Sequence, residues 1–133
     1  MANLAATYRR QGRWKEAEEL EVSVMEARKR VLGEGHPDTL TSMANLASTY
    51  WSQGRWEEAE ELQVLVMEAR KSVLGEGHPN TLTSMASLAY TLRSQRRVVM
   101  ASVLLKRTIN AALRFHGPTY HGISSWEAAL DNM

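Results

Sequence analysis

Between Trp56 and Leu74 the apolar residues Ala59, Leu62, Val66, Ala69 and Val73 recur at steps of three and four, which lays one continuous stripe along an α-helix. Charge in the same stretch follows the helix dipole. Glu57, Glu58, Glu60 and Glu61 fall in the first turns and Arg70 and Lys71 near the end, each sign at the terminus that favours it. The preceding segment, Pro37 to Gln53, reads as a second helix. Pro37 suits the first helical position, Asp38 sits near the positive end of the dipole, and Gly54 supplies a C-terminal residue that adopts a left-handed backbone without steric cost. Gly75 closes the longer helix, and Leu46, Tyr50 and Trp56 complete the expected buried set.

The pattern repeats. Residues 1–42 realign on 43–84 at an offset of 42 and differ at eight positions: 6/48, 9/51, 10/52, 15/57, 21/63, 23/65, 30/72 and 38/80. A third copy begins at Met85 and drifts after Arg97, keeping the helical pattern while losing most identities, and Ser124 to Met133 reads as a short closing helix. A hairpin of two such helices cannot bury its stripe alone, so neighbouring copies must cover one another. The expected fold is an all-α solenoid of antiparallel helix pairs with no β-strand. It would hold about three repeats (1–36, 37–78 and 79–117) and a capping segment (118–133). Ala44, Ala47 and Ala59 would let the helices approach closely.

The residues Asn45, Leu46, Ala47, Tyr50, Gln53, Gly54, Arg55, Trp56, Glu58, Ala59, Glu60 and Leu62, followed by Val73 through Pro79, carry a family resemblance. The pattern resembles the tetratricopeptide repeat in its 42-residue kinesin light chain form, as found in fungal nucleotide-binding receptor proteins. The ordinary period of that family is about 34 residues; here the extra length lies in the second helix and the Leu-Gly-Glu-Gly-His-Pro connector. The resemblance implies a right-handed superhelix that binds a peptide or protein segment in a concave groove formed by the first helix of each repeat. By register, the groove positions are Arg9 and Arg10 in the first copy, Asn45, Ser48, Trp51 and Ser52 in the second, and Tyr90, Arg93 and Ser94 in the third. Ala2, Asn3, Ala6, Thr41, Ala44, Thr83, Ala86 and Ser87 share that register. Lys or Arg near the start of these helices would signal the chaperone-type carboxylate clamp, and Ala and Thr stand there instead, so capture of a free C-terminal carboxylate is not expected.

Three of the eight differences, 6/48, 9/51 and 10/52, fall on this one face. Continued into the third copy they read Ala6, Ser48, Tyr90; Arg9, Trp51, Arg93; and Arg10, Ser52, Ser94. Trp and Arg are the residues that most often anchor interfaces, so the varying wall is the candidate contact surface. Drift at exposed positions, where substitutions cost little, is the competing explanation.

Composition narrows the function classes. Across 133 residues, 16 Lys+Arg against 15 Asp+Glu leave a net charge of +1, without the dense basic stripe that nucleic-acid binding requires. The absence of Cys removes disulfides, thiolate metal sites and a cysteine nucleophile. No apolar run approaches the roughly 20 residues that span a bilayer, and the chain does not open on a signal segment, so a cytoplasmic, non-membrane protein is expected. His36 and His78 precede Pro in successive copies, one per copy, whereas a metal needs three or four converging ligands; helix capping accounts for them better. His116 and His121 read as loop residues of the degenerate connector. The Glu57–Glu61 run reads as a solvated face rather than an acid–base pair, and the connector glycines lack the context of a phosphate loop. No enzyme activity and no cofactor or metal are expected. Arg93, Arg96 and Arg97, with Lys106, Arg107 and Arg114, bias the C-terminal third positive; with Arg9 and Arg10 such a groove would favour an acidic partner, while Lys106, Arg107 and Arg114 read as ordinary solubility charge. Met1 falls inside what would be the first helix, which predicts an exposed terminal repeat and a homodimer. The alternative reading is a ligand-sensing or self-assembling segment of a larger STAND-type (NB-ARC/NACHT) signalling receptor.

Overall fold

The computed structural model describes Leu4 and residues 13–133, Trp14 by its backbone alone. Its described residues form α1 (Trp14–Leu32), α2 (Pro37–Ser52), α3 (Trp56–Leu74), α4 (Pro79–Ser94), α5 (Val98–His116) and α6 (Ile123–Asp131), with no strand among them. The architecture is all-α, built from antiparallel helix pairs. The chain divides into two compact units, Met1–Val66 and Met67–Met133, with the division falling inside α3.

In the first unit α1 packs on α2. Ala17, Leu40, Leu46, Ala47, Ala59 and Val66 are buried, and so are the polar residues Glu21, Thr39, Ser42, Thr49 and Gln63. Burying a carboxylate is costly unless a donor meets it, and the Thr49 hydroxyl donates to Glu21 Oε1 at 2.5 Å. A second polar tie joins the same helices: Arg28 Nη1 donates to Ser42 Oγ at 2.8 Å and to the Asp38 carbonyl at 3.2 Å. The turn between α2 and α3 is organised by Arg55. Its guanidinium donates to Glu18 Oε1 on α1 at 2.7 Å, to Gln53 Oε1 at 2.9 Å and to both Glu58 carboxylate oxygens, and it lies 4.3 Å from the Tyr50 ring centroid. Its bonds to Glu58 and then Glu18 hold the Arg55 proton more firmly than usual. The Glu58 carboxyl is correspondingly held below its ordinary range by Arg55. Burial, reinforced by Glu18, pushes the Tyr50 phenol up.

In the second unit α4 and α6 pack on α5. Leu82, Met85, Ala86 and Ala89 of α4, Leu105, Ile109, Ala111 and Ala112 of α5, and Ile123 and Trp126 of α6 form one buried cluster. The tie seen between Arg28 and Ser42 recurs 42 residues on: Arg70 Nη1 donates to Ser84 Oγ at 2.8 Å. Burial lowers the proton affinity of Arg70. One further period along, the same two positions are Ala112 and Trp126, both buried in the apolar cluster. The polar tie has become packing, which lets the nine-residue α6 close the unit without a buried cation.

The connectors recur in the same way. His36 Nδ1 accepts from the Asp38 amide at 3.1 Å and His78 Nδ1 from the Asn80 amide at 3.0 Å, satisfying a donor that the helix start leaves open. These histidines are helix caps, as their position before Pro indicates. In the third copy Tyr120 stands where His78 stands in the second. It lies 4.7 Å from the His116 ring, 4.5 Å from His121 and 5.9 Å from Trp126, while His116 Nε2 lies 2.6 Å from the Gly77 carbonyl. His116 is therefore the last residue of α5 and a tie to the preceding connector, not simply a loop residue. Gly33 (φ 98°, ψ 160°) and Gly117 (φ 89°, ψ 174°) hold a backbone region that is essentially glycine-only.

The expected buried stripe of α3 is corrected by the structure. Val73 is 65% exposed and Trp56 37% exposed, and Leu62 and Ala69 are half-buried; the inward face is Ala59, Gln63 and Val66. An i, i+4, i+7 set gives the same helical period, rotated so that a polar residue takes the central place. Helix ends differ from expectation by one or two residues: α2 stops at Ser52 with Gln53 as its cap, and α6 spans Ile123–Asp131.

Gly54 has φ +77°, as expected, and Arg96, at the same register in the third copy, has φ +64°. A left-handed backbone costs a side-chain-bearing residue roughly 1–2 kcal/mol. Arg96→Gly is expected to stabilise the fold by about 1 kcal/mol, read as a raised melting temperature. Trp126→Ala removes the largest side chain of the closing helix from the core and is expected to cost about 3–5 kcal/mol in denaturant unfolding. Because the folded Glu58 carboxyl sits below its unfolded value of 4.5, its pairing with Arg55 stabilises the fold above that pH and is lost as pH falls through the depressed folded value. Glu58→Gln should therefore lower the melting temperature near neutrality and leave it unchanged in acid.

Candidate functional site

The helix faces that carry the sequence-derived contact positions begin at the His-Pro caps, which fix the register of α2 and α4. On α2, Asn45, Ser48 and Ser52 fall at i, i+3 and i+7 and so share one side. Trp51 lies beside them and leaves 42% of its surface exposed. Ser48 and Ser52 are exposed and Asn45 is half-buried. The Asn45 carbonyl lies 3.3 Å from the Thr49 hydroxyl, the group that also meets buried Glu21. Thr49, behind this face, thus ties α2 to α1 through Glu21.

On α4, Arg93 lies over Tyr90, its guanidinium carbon 5.2 Å from the ring centroid, and the Ser94 hydroxyl donates to the Tyr90 carbonyl at 3.1 Å. Tyr90 packs partly against the apolar cluster while Arg93 is exposed. An Arg held over an aromatic ring presents a planar donor set with reduced rotamer freedom, suited to carboxylates and carbonyls. The structure therefore brings together Asn45, Ser48, Trp51 and Ser52 in the first unit and Tyr90, Arg93 and Ser94 in the second. Arg9 and Arg10 lie outside the described residues, as do Ala2, Asn3 and Ala6. Ala86, assigned to the wall by register, is 4% exposed and belongs to the core. It fills the space between α4 and α5 and offers no contact surface.

A depression on α5 is not predicted from the sequence. Glu76 of the connector and Arg107, Asn110, Ala111, Arg114 and Phe115 of α5 line an open depression of about 160 Å³. Arg114 lies 5.3 Å from the Phe115 ring centroid. Phe115 in turn covers Gly77, where an added Cβ would sit 2.3 Å from Phe115 Cγ. The Arg107, Asn110, Arg114 spacing of three and four was the available signal, but Arg107 and Arg114 read in sequence as solubility charge. Among the described residues no group of three or more His, Asp or Glu side chains is placed to hold a metal, and no helix is long and apolar enough to cross a membrane.

The tetratricopeptide repeat profile matches residues 1–71 and again 44–114. Among solved structures, a kinesin-light-chain-like protein of Podospora anserina with nearly identical TPR-like repeats superposes with a TM-score of 0.88 at 27% identity, and a single-substitution variant of it with 0.89. The alignment covers 98% of this chain and 62% of that one. BtubC (BKLC) from P. vanneervenii superposes with 0.88 at 21% identity over 97% of this chain and 52% of its own, which shows a shared fold. This chain thus spans less than two thirds of the length of each. No curated protein matches it in sequence. With profile matches together spanning residues 1–114 and the helix pairs in place, the chain belongs to the tetratricopeptide repeat family.

Proposed function

We propose that this chain is a non-enzymatic protein-interaction module that holds a peptide or protein segment in a concave groove formed by the first helices of its repeats. The repeats are 1–36, 37–78 and 79–117, closed by 118–133. Contact runs through Arg9, Arg10, Asn45, Ser48, Trp51, Ser52, Tyr90, Arg93 and Ser94. Family membership supports the class of activity, since tetratricopeptide repeats serve typically as protein-interaction modules. The observation that carries the groove assignment is internal to the chain: two copies that agree at most of their positions differ at 6/48, 9/51 and 10/52, all on one side of the first helix. At that side the second and third copies present an exposed Trp51 and an Arg93 laid over Tyr90.

Trp and Arg held on a rigid helix bind at low ordering cost, and Arg93 with Arg9 and Arg10 favours an acidic segment by charge-assisted hydrogen bonds. Peptides selected from a displayed random library against the whole chain should be enriched in Asp and Glu. Joint replacement of Arg9, Trp51, Tyr90 and Arg93 by Ala should weaken their binding by about thirtyfold or more, the loss of at least one hot-spot contact. Helicity by circular dichroism should stay unchanged. Selected peptides that bind the fourfold variant as tightly as the parent would refute the groove assignment.

A further inference from the structure

The second helices of the three copies, α1, α3 and α5, each leave one side to solvent, and these sides differ far more than the shared framework does. On α1 the outward residues are Lys15, Glu19, Ser23, Glu26 and Arg30, a mixture of signs with no large apolar residue. At the same register α3 carries Glu57, Glu61, Leu65, Glu68 and Ser72, all exposed, so this side is acidic around an apolar Leu65 that is 58% exposed. On α5 the register reads Val99, Val103, Arg107, Asn110 and Arg114, again all exposed. Val99 is 76% and Val103 53% exposed, and neighbouring Met100 is 51% exposed. Where copies one and two place charges at three neighbouring positions of the helix surface (Lys15/Glu57, Glu16/Glu58 and Glu19/Glu61), copy three places Val99, Met100 and Val103. Drift on a purely solvated surface has no reason to turn a charged face apolar at one end and basic at the other. Contiguous exposed apolar surface with a charged rim marks an interaction site.

We propose that the outer side of α5 in one copy docks, antiparallel, on the outer side of α3 in a second copy of this chain. The two sides match at their centre and along the half that holds the arginines, while Val99 and Met100 fall opposite Ala69 and Glu68. Arg107 and Arg114 face a row of carboxylates, and Val103 faces Leu65. In an antiparallel pairing centred on Val103 and Leu65, one helical turn along brings Arg107 to Glu61, and a further step brings Arg114 within reach of Glu57; each turn advances about 5.4 Å along both helices. A parallel pairing at the repeat register sets Val99 and Val103 against Glu57 and Glu61 and leaves both sets of groups mismatched. The depression of about 160 Å³ is lined by Arg107, Asn110 and Arg114 and also by Glu76; its two guanidinium groups outnumber that one carboxylate and, with the amide, offer donors to an incoming carboxylate. These contacts use helices other than α2 and α4, so the association is independent of the groove proposed above. The contact is between different surfaces of two copies, so a pair keeps one unmatched side of each kind unless the arrangement closes on itself.

The test is a charge-swap experiment on the full chain by sedimentation velocity at increasing protein concentration. Glu57→Lys installs the residue that copy one already carries at this register, and it is combined with Glu61→Lys in one variant; Arg107→Glu and Arg114→Glu are combined in another. The parent should associate as concentration rises. Each variant alone should associate about tenfold more weakly, since the reversed pairs now repel, and an equimolar mixture of the two variants should recover association in mixed species. Circular dichroism melting of each variant confirms that it folds, and Val103→Asp, which changes neither charged set, should also weaken self-association. A parent that stays monomeric at every concentration, variants that associate as the parent does, or a mixture that fails to recover would each overturn the proposal.

Discussion

The fold rests on the inability of a two-helix hairpin to close its own core. The first long helix, α1, packs on the first helix of the following copy, and within each unit a polar tie joins a long helix to the start of the next. Arg28 reaches Ser42, and 42 residues later Arg70 reaches Ser84, both at 2.8 Å. A guanidinium bonded to a hydroxyl and a helix-start carbonyl sets direction as well as distance, because its fork of donors accepts few alternative geometries. The His-Pro cap beside each tie fixes the start of the helix being reached. Register is therefore set twice at these two junctions, by the connector and by the polar bridge.

The third copy shows how such an array ends. Its connector retains Gly117 and loses the Glu-Gly-His-Pro that follows in the earlier copies, yet the turn still closes with the Tyr120 amide donating to the Gly117 carbonyl, as the His36 and His78 amides do to Gly33 and Gly75. Where an arginine and a serine met, Ala112 and Trp126 now share an apolar cluster. The exchange removes a partly desolvated cation from the last junction, and it frees the closing helix to be short. Gly122 fits the same change, because a Cβ there would lie 2.6 Å from the Trp126 ring.

Much of this was legible in the sequence for specific reasons. Pro37, Gly54 and the 42-residue echo announce helix starts, helix ends and the unit of packing directly. The rotation of α3 was not legible, because the buried side of a helix is chosen by its neighbours. Gln63 faces inward while Val73 does not, and Glu21, at the register of Gln63 in the first copy, is buried with Thr49 as its donor. Hydropathy assigns such residues to solvent, since it sees the polar group and not the partner that satisfies it. Of the positions assigned by register on α2 and α4, Ser48, Trp51, Ser52 and Arg93 are exposed, whereas Ala86 is a small residue that serves the core. The depression at α5 was hidden because Glu76 and Phe115 lie far apart in the chain and meet only after Phe115 settles over Gly77.

Positions 28/42, 70/84 and 112/126 form one junction, satisfied as a polar pair in two copies and as an apolar pair in the last. A double-mutant cycle in the full chain tests it: Ala112→Arg, Trp126→Ser, and the two together, each measured by denaturant unfolding. Each single change should destabilise the fold, and the double variant should recover part of the loss, with a coupling of about 1–3 kcal/mol. Strictly additive losses would mean that the two positions do not act as one junction.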